Sequence, residues 1–270
     1  MVLFPPCKIN LGLNVLRKRD DGYHEITTCF YAVPWTDVLE IVPSRNFAFS
    51  TSGVPVPGAA ADNLCVAAYE LLKRDFNLKP VAMHLMKVIP TGAGLGGGSA
   101  DGAYALKILN EIFGLKLPAQ KLRDYAARLG SDCAFFIDAK PAIGSGRGES
   151  LSDVNLSLKG KFLIIAKPEV QVSTAEAFAG ITPVVSDQNL RSIVENQPVN
   201  EWKDRLTNDF ETPVFKRFPV ISALKQKLYA YGAAYASMSG SGSAVFGIFE
   251  KEINLQKEFD SVKYWSGFLD

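Results

Sequence analysis

The sequence predicts an α+β protein built from two domains. Strand-like and helix-like stretches are mixed, without the regular strand–helix–strand beat of a doubly wound sheet. The 270 residues place the chain at about two domains. Hydrophobic residues make up 47% and charged residues 21%, which allows a sizeable core and argues against a disordered chain.

Each element follows from a local pattern. Residues 7–16 alternate loosely between apolar and polar side chains and read as a strand. The polar run 17–23 contains Asp21-Gly22 and reads as a turn. Two more strands are expected at 24–33 and 37–42. Gly, Pro, Ser and Ala dominate 50–62, which reads as a loop. Apolar residues at 64, 67, 68, 71 and 72 have helix spacing, so 63–75 is a helix with Asp62 as its cap. A strand is expected at 81–89, a glycine-rich segment at 90–98 and a helix at 99–113. The helix at 118–130 ends on Gly130. Residues 133–137 read as a short apolar strand and 141–149 as a loop. The domain boundary is expected near 156, giving domains 1–156 and 157–270. Beyond it, 162–167 is a strand, and a helix starts at 173–178 with Ser173 or Thr174 as cap. Helices at 198–211 and 220–231 and strands at 233–237, 243–249 and 262–265 complete the chain.

Lys plus Arg number 29, Asp plus Glu 28, and the formal net charge is +1. That balance speaks against a nucleic-acid binder and against a polybasic membrane protein. It leaves room for an anionic ligand, because backbone N–H groups at a helix N-terminus can hold one. The four cysteines, Cys7, Cys29, Cys65 and Cys133, form no CxxC pair. With two histidines, they argue against a zinc site and a disulfide scaffold, and Cys65 and Cys133 read as buried thiols. The opening MVLFPPCKIN is broken by prolines, and no run reaches membrane-spanning length. A cytoplasmic protein is expected, as monomer or homodimer.

The segment Pro90-Thr91-Gly92-Ala93-Gly94-Leu95-Gly96-Gly97-Gly98-Ser99 is the most informative in the chain. Five glycines in positions 92–98 suit neither strand nor helix interior, and they let a ligand approach the backbone. With a strand before and a helix after, several N–H groups converge on one point, which suits a polyphosphate. Ser99 adds a hydroxyl at the same place. The Walker A pattern fails because no lysine follows the glycines. A GxGxxG fingerprint can be forced onto 92–97, but the first strand lies far upstream and no clear acidic partner follows. A surface loop or tight helix start is the bland alternative.

Three segments then match in order. PTGAGLGGGSADGAYAL resembles the second motif of the GHMP small-molecule kinases. Pro6-Cys7-Lys8-Ile9-Asn10-Leu11 resembles their N-terminal motif, and Met238-Ser239-Gly240-Ser241-Gly242-Ser243-Ala244 resembles their third. The resemblance covers essentially the whole chain. It implies a two-domain fold, with an N-terminal domain like ribosomal protein S5, a C-terminal α+β domain and ligands in the cleft between them. Arg19-Asp20-Asp21-Gly22-Tyr23-His24, Leu129-Gly130-Ser131-Asp132-Cys133-Ala134-Phe135-Phe136, Gly146-Arg147-Gly148-Glu149 and Thr207-Asn208-Asp209-Phe210-Glu211 point within the family to the members that act on a cytidyl-diphosphate small molecule. For these, ATP with Mg²⁺ phosphorylates the 2-hydroxyl of 4-diphosphocytidyl-2-C-methyl-D-erythritol, on the non-mevalonate route to isoprenoid precursors. Kinases of mevalonate, homoserine or a sugar, and a diphosphomevalonate decarboxylase, are the alternatives.

By resemblance, Asp132 is the catalytic base and Lys8 its cationic partner. Asn63, Pro90, Gly92, Gly94, Leu95, Gly96, Gly97, Gly98 and Ser99 belong to the nucleotide site. Asn10, Tyr23, His24, Ser173, Thr174, Phe178, Gly240 and Ser241 belong to the substrate site, with Tyr23, His24 and Phe178 around the cytidine base. Bland readings stand beside several of these: a helix cap for Asn63, Ser173 and Thr174, a core ring for Phe178, and a tight turn for 240–242. Metal ligands are not assigned. The motif departs from the commoner Ser-Ser-Asn-Ala at Ser99-Ala100-Asp101-Gly102. Asp101 is expected to meet hydrated Mg²⁺ or to point into solvent on the first helical turn. Asp209 is expected to be structural.

Overall fold

The computed structural model describes residues 1–183 and 189–270. Among the described residues, twelve strands and eight α-helices follow in this order: β1 (Val2–Leu3), β2 (Pro6–Lys18), β3 (His24–Thr36), β4 (Val38–Pro43), β5 (Ala48–Gly53), α1 (Leu64–Phe76), β6 (Val81–Lys87), α2 (Gly97–Ile112), α3 (Ala119–Leu129) and α4 (Phe135–Asp138). The chain continues through β7 (Ala142–Ser145), β8 (Ser150–Asp153), β9 (Phe162–Lys167), α5 (Thr174–Ala179), α6 (Leu190–Asn196), α7 (Glu211–Arg217), α8 (Pro219–Ala230), β10 (Tyr235–Met238), β11 (Val245–Phe249) and β12 (Lys263–Phe268). Helices and sheets are mixed, as the α+β expectation requires.

The chain forms two compact units that interleave in sequence. One holds Met1–Lys8, Trp35–Thr91 and Gly96–Lys140; the other holds Ile9–Pro34, Gly92–Leu95 and Pro141–Asp270. In the first, a sheet runs in the order β1-β4-β6-β5. Its β4–β6 pairing is antiparallel and its β5–β6 pairing parallel. Leu39, Ile41, Met83 and Leu85 are buried, while Glu40, Val42 and Met86 between them are exposed. That alternation turns one face of the sheet inward, and α2 packs on α1 and β4.

The second unit carries an antiparallel sheet of order β10-β11-β9-β12. All six residues of β9 are buried, as expected of a central strand covered on both faces. Its core joins Leu13, Val15, Phe162, Ile164, Phe210, Ile221, Leu228 and Phe249. A further sheet runs β2-β3-β7-β8.

Several elements differ from the sequence reading, each for a physical reason. The segment 50–62 is not all loop, because β5 adds an exposed edge strand to β6 over Ala48–Gly53. Residues 142–145 pair with β3 as β7 despite their glycine. Residues 133–137 form a turn and the short helix α4, not a strand. No helix fills 198–211: Leu13 N–H donates to Thr207 O at 2.9 Å and Asp209 N–H to Leu13 O at 2.8 Å. After a 3₁₀ turn at Val199–Glu201, this stretch makes a lateral bridge to β2 at Asn208 and becomes α-helical only at Glu211. The cap of α1 is Asn63, whose Oδ1 accepts from Cys65 N–H at 2.9 Å, not Asp62. Helix α6 had no clear sequence signal. All four cysteines are buried and free.

One polar cluster lies inside the first unit. Lys87 Nζ donates to Asp37 Oδ2 and, at 2.8 Å, to Asp101 Oδ2. The three side chains are at most 3% exposed. Asp37 Oδ1 also accepts from the N–H groups of Val88 at 2.6 Å and Ile89 at 2.8 Å. Burial works against the Lys87 charge, but Asp101 and Asp37 outweigh it and its pKa is raised. Asp37→Ala therefore removes one of the two carboxylates around a buried ammonium and strands two backbone donors. It should cost about 3 kcal/mol or more in urea unfolding. Glu70→Ala, which breaks the exposed Lys73 pair, should cost less than about 0.5 kcal/mol.

Candidate active site

Lys8 stands near the start of β2, and Asp132 lies in the turn after α3. Lys8 Nζ is 3.4 Å from Asp132 Oδ2. The two ends differ in access: the Lys8 side chain is 4% exposed and that of Asp132 is 32% exposed. A carboxylate so placed can reach a ligand while a buried cation stands behind it.

The same unit holds the second half of the glycine-rich segment. Gly96 is the left-handed N-cap of α2, with φ 68°. A Cβ there would lie 2.9 Å from the Phe136 ring and 3.1 Å from Lys8, so only glycine lets the chain pass. The first helical bond runs from Ala100 N–H to Gly96 O. The N–H groups of Gly97, Gly98 and Ser99 have no acceptor within the helix and face its N-terminus. Gly98 is exposed, and a Cβ on it would meet nothing within 4 Å. Packing does not require a glycine at that position, and its bare backbone suits a polyphosphate. Ser99 hydrogen-bonds the Cys133 thiol, whose pKa burial pushes up to about 12.

Three other residues expected at the nucleotide site take quieter places. Pro90 and Leu95 are buried and offer no side chain to a ligand. Asn63 uses its Oδ1 to cap α1.

In the second unit, the third glycine motif folds against Gly94. A Cβ on Gly94, where φ is 75°, would overlap the Ser239 carbonyl. Ser239 Oγ donates to Gly94 O at 2.9 Å and to Asn10 Oδ1 at 3.4 Å. Asn10 Nδ2 in turn donates to Thr28 Oγ1 at 2.9 Å. Asn208 Nδ2 donates to the carbonyls of Met238 and Gly240, both at 2.8 Å. Thr174 Oγ1 and Ser241 Oγ are 3.4 Å apart, while Ser173 caps α5. The loop 239–242 is therefore braced from several directions before any ligand arrives.

The aromatic residues are also in this unit. His24 and Phe178 stack on each other, with ring centroids 4.6 Å apart and planes at 13°. Their facing surfaces leave no space for a base between them, so Phe178 is not an open second plane in this structure. Phe178 also meets Phe210 edge-on at 4.8 Å, the core contact of its bland reading. Tyr23 is 56% exposed, and the Arg147 guanidinium lies 4.8 Å from its ring centre.

Asp101 contradicts both expectations for it. It is 2% exposed and bonded to Lys87, so it neither faces solvent nor is free for Mg²⁺. Asp209 is structural as expected: its Oδ2 accepts from Val15 N–H at 2.7 Å.

Models of the GHMP kinases N terminal domain and GHMP kinases C terminal match residues 63–140 and 190–265. The 4-diphosphocytidyl-2-C-methyl-D-erythritol kinase of Bacteroides fragilis is 51% identical over 261 residues, covering 95% of each chain. The chain belongs to the GHMP kinase family. The Cytophaga hutchinsonii protein of the same name is 49% identical over 92% of both chains. A crystal structure of 4-(cytidine 5'-diphospho)-2C-methyl-D-erythritol kinase superposes with a TM-score of 0.84 at 29% identity, covering 99% of this chain and 98% of the other. Mevalonate kinase of Methanococcus jannaschii shares the fold, with a TM-score of 0.74 at 15% identity over 100% and 98% of the two chains.

In this GHMP kinase, sequence reasoning missed Lys87, Asp37, Thr28 and Asn208. Asn208 lay inside a motif already singled out, one residue before the Asp209 that drew attention. Asp37 and Lys87 carried no local signal, because each is an ordinary charged residue at a strand end or junction.

The two glycine environments separate by stability. Gly94→Ala forces a Cβ into the Ser239 carbonyl and should lower stability by roughly 2 kcal/mol or more. Gly98→Ala should leave thermal unfolding unchanged or raise it slightly, by up to about 1 kcal/mol.

Proposed function

We propose that this GHMP kinase transfers the γ-phosphoryl group of ATP to the 2-hydroxyl of 4-diphosphocytidyl-2-C-methyl-D-erythritol, giving the 2-phosphate and ADP. The pairing of Lys8 with the partly open Asp132 carries the chemical part of this reading. The substrate comes from the relatives at 51% and 49% identity that bear this enzyme's name.

In the reaction, Asp132 takes the proton of the 2-hydroxyl as its oxygen attacks the γ-phosphorus. The bond to the β–γ bridging oxygen breaks, and ADP leaves with that electron pair. Lys8 stabilises charge on the attacking oxygen. The N–H groups at Gly97, Gly98 and Ser99 hold the phosphates, replacing lysines that a Walker loop would use. Direct in-line transfer needs no covalent enzyme intermediate.

Mg²⁺ is part of the proposal. Among the described residues there is no group of three or more His, Cys, Asp or Glu side chains that could hold a metal. In this reading the ion is carried mainly on phosphate oxygens and water. When bound, the ion neutralises charge on the transferring group.

Tyr23, His24 and Phe178 are assigned to the cytidine base, and Asn10, Ser173, Thr174, Gly240 and Ser241 to the rest of the substrate. The His24–Phe178 stack must open for both rings to take part. Asn63 is assigned to the neighbourhood of the adenine, and Pro90, Gly92, Gly94 and Leu95 to the nucleotide loop through their backbone. No helix among the described residues is long and apolar enough to cross a membrane. We place the enzyme in the cytoplasm.

Asp132→Asn keeps shape and removes the base. Turnover should fall by about 10²- to 10⁴-fold, while the KM for ATP changes by less than about threefold. Turnover within twofold of wild type would remove Asp132 from the mechanism. Gly98→Ala should raise the KM for ATP by about tenfold or more through loss of close backbone contact. A panel of alcohols should show ATP consumption with the cytidyl-bearing substrate alone, and not with mevalonate, homoserine or galactose.

A further inference from the structure

The buried cluster of Lys87, Asp37 and Asp101 holds one cation against two carboxylates, with water excluded from all three. Its two carboxylates are not equivalent. Asp37 is saturated: Lys87 and the N–H groups of Val88 and Ile89 occupy both oxygens. Asp101 has Lys87 on Oδ2, and its buried Oδ1 has no hydrogen-bond partner among the described residues. With both carboxylates ionised, the cluster carries an uncompensated negative charge in a dry interior, which is costly. One proton neutralises it, and Asp101 is the carboxyl with the weaker hold on its charge.

Position gives this proton a use. Asp101 lies four residues beyond Gly97, the first residue of α2, or about 6 Å along the helix axis. Asp37 fixes the backbone at Val88 and Ile89, just before the glycine-rich segment. A Cβ on Gly97 would lie 2.9 Å from Lys87 Nζ, so the cluster is packed directly beneath the start of α2. A polyphosphate at that helix end places further negative charge within range of Asp101.

We infer that Asp101 is a positioning residue that takes up a proton when the glycine-rich segment binds a nucleotide polyphosphate. This rests on the assignment of that segment to the phosphates. Other groups acting on Asp101 are named by the packing: Lys87 from β6, Asp37 from the β3–β4 junction and the Cys65 thiol from α1. Burial raises the Asp101 pKa to about 7, Lys87 opposes that rise, and Asp37 adds to it. Burial also drives the Cys65 thiol well up, so it stays neutral beside the pair. The linkage sign is fixed. Bound phosphate raises the Asp101 pKa further, so binding is tighter where the proton is present and weakens as pH rises through the free-state value.

Calorimetric titration with Mg·ADP, in buffers of different ionisation enthalpy, tests this. At pH 7.5, wild type should take up about half a proton per nucleotide, and between pH 7 and 9 its affinity should fall about fivefold, for a rise of about one pKa unit. Asp101→Asn keeps the shape and drops the titration; it should show neither effect beyond the nucleotide's own. Equal proton uptake in the two proteins would overturn the inference while leaving the nucleotide site intact. Failure of Mg·ADP to bind either protein would overturn the phosphate assignment as well. Carbon-13 NMR of the wild-type carboxyl groups decides the matter even if Asp101→Asn does not fold. One aspartate should titrate near neutrality and move upward with Mg·ADP, and ionisation of every aspartate by pH 6 would contradict the inference.

Discussion

A lysine without access to water ties together the two ends of the glycine-rich segment. Lys87 ends β6, and through Asp37 the backbone at Val88 and Ile89 is fixed as the chain leaves the sheet. Through Asp101 the same ammonium is joined to the second turn of α2, where the chain re-enters regular structure. A run of five glycines has little conformational preference of its own and a large entropy to lose. Clamping its flanks reduces that loss before a ligand arrives. The N–H groups at Gly97, Gly98 and Ser99 are then aimed in advance, which is the condition for electrostatic stabilisation without reorganisation.

In the proposed reaction, a chain with formal net charge +1 handles anionic ligands through these backbone groups. Few side-chain cations are needed, and those present are specialised. Lys87 is committed to the interior, and Lys8 is committed to Asp132. The exposure difference within the Lys8–Asp132 pair separates the roles, with a fixed cation behind and a reachable carboxylate in front.

Much of this was legible in the sequence because the physical signals are local. Alternation marked β2, an apolar run marked β9, helix spacing marked α1, and glycine clustering marked the segment that enters α2. Lys8 and Asp132 were legible only through motif resemblance, since neither stands out by spacing. What stayed hidden depends on partners distant in the chain. Asp37, Lys87 and Asp101 meet across separations of 50 and 14 residues, and nothing nearby marks them as buried. The same holds for 207–209, whose backbone bonds go to Leu13 rather than along a helix. The His24–Phe178 stack belongs to this class, because ring contact is set by the meeting of β3 and α5 and not by either segment.

The central claim is that bare backbone at the start of α2 holds the phosphates. A crystal structure with a non-hydrolysable ATP analogue tests it most directly. The account predicts phosphate oxygens within hydrogen-bond distance of N–H groups at Gly97, Gly98 and Ser99, with the Lys8–Asp132 pair intact. A bound analogue whose phosphates lie away from those N–H groups would contradict it.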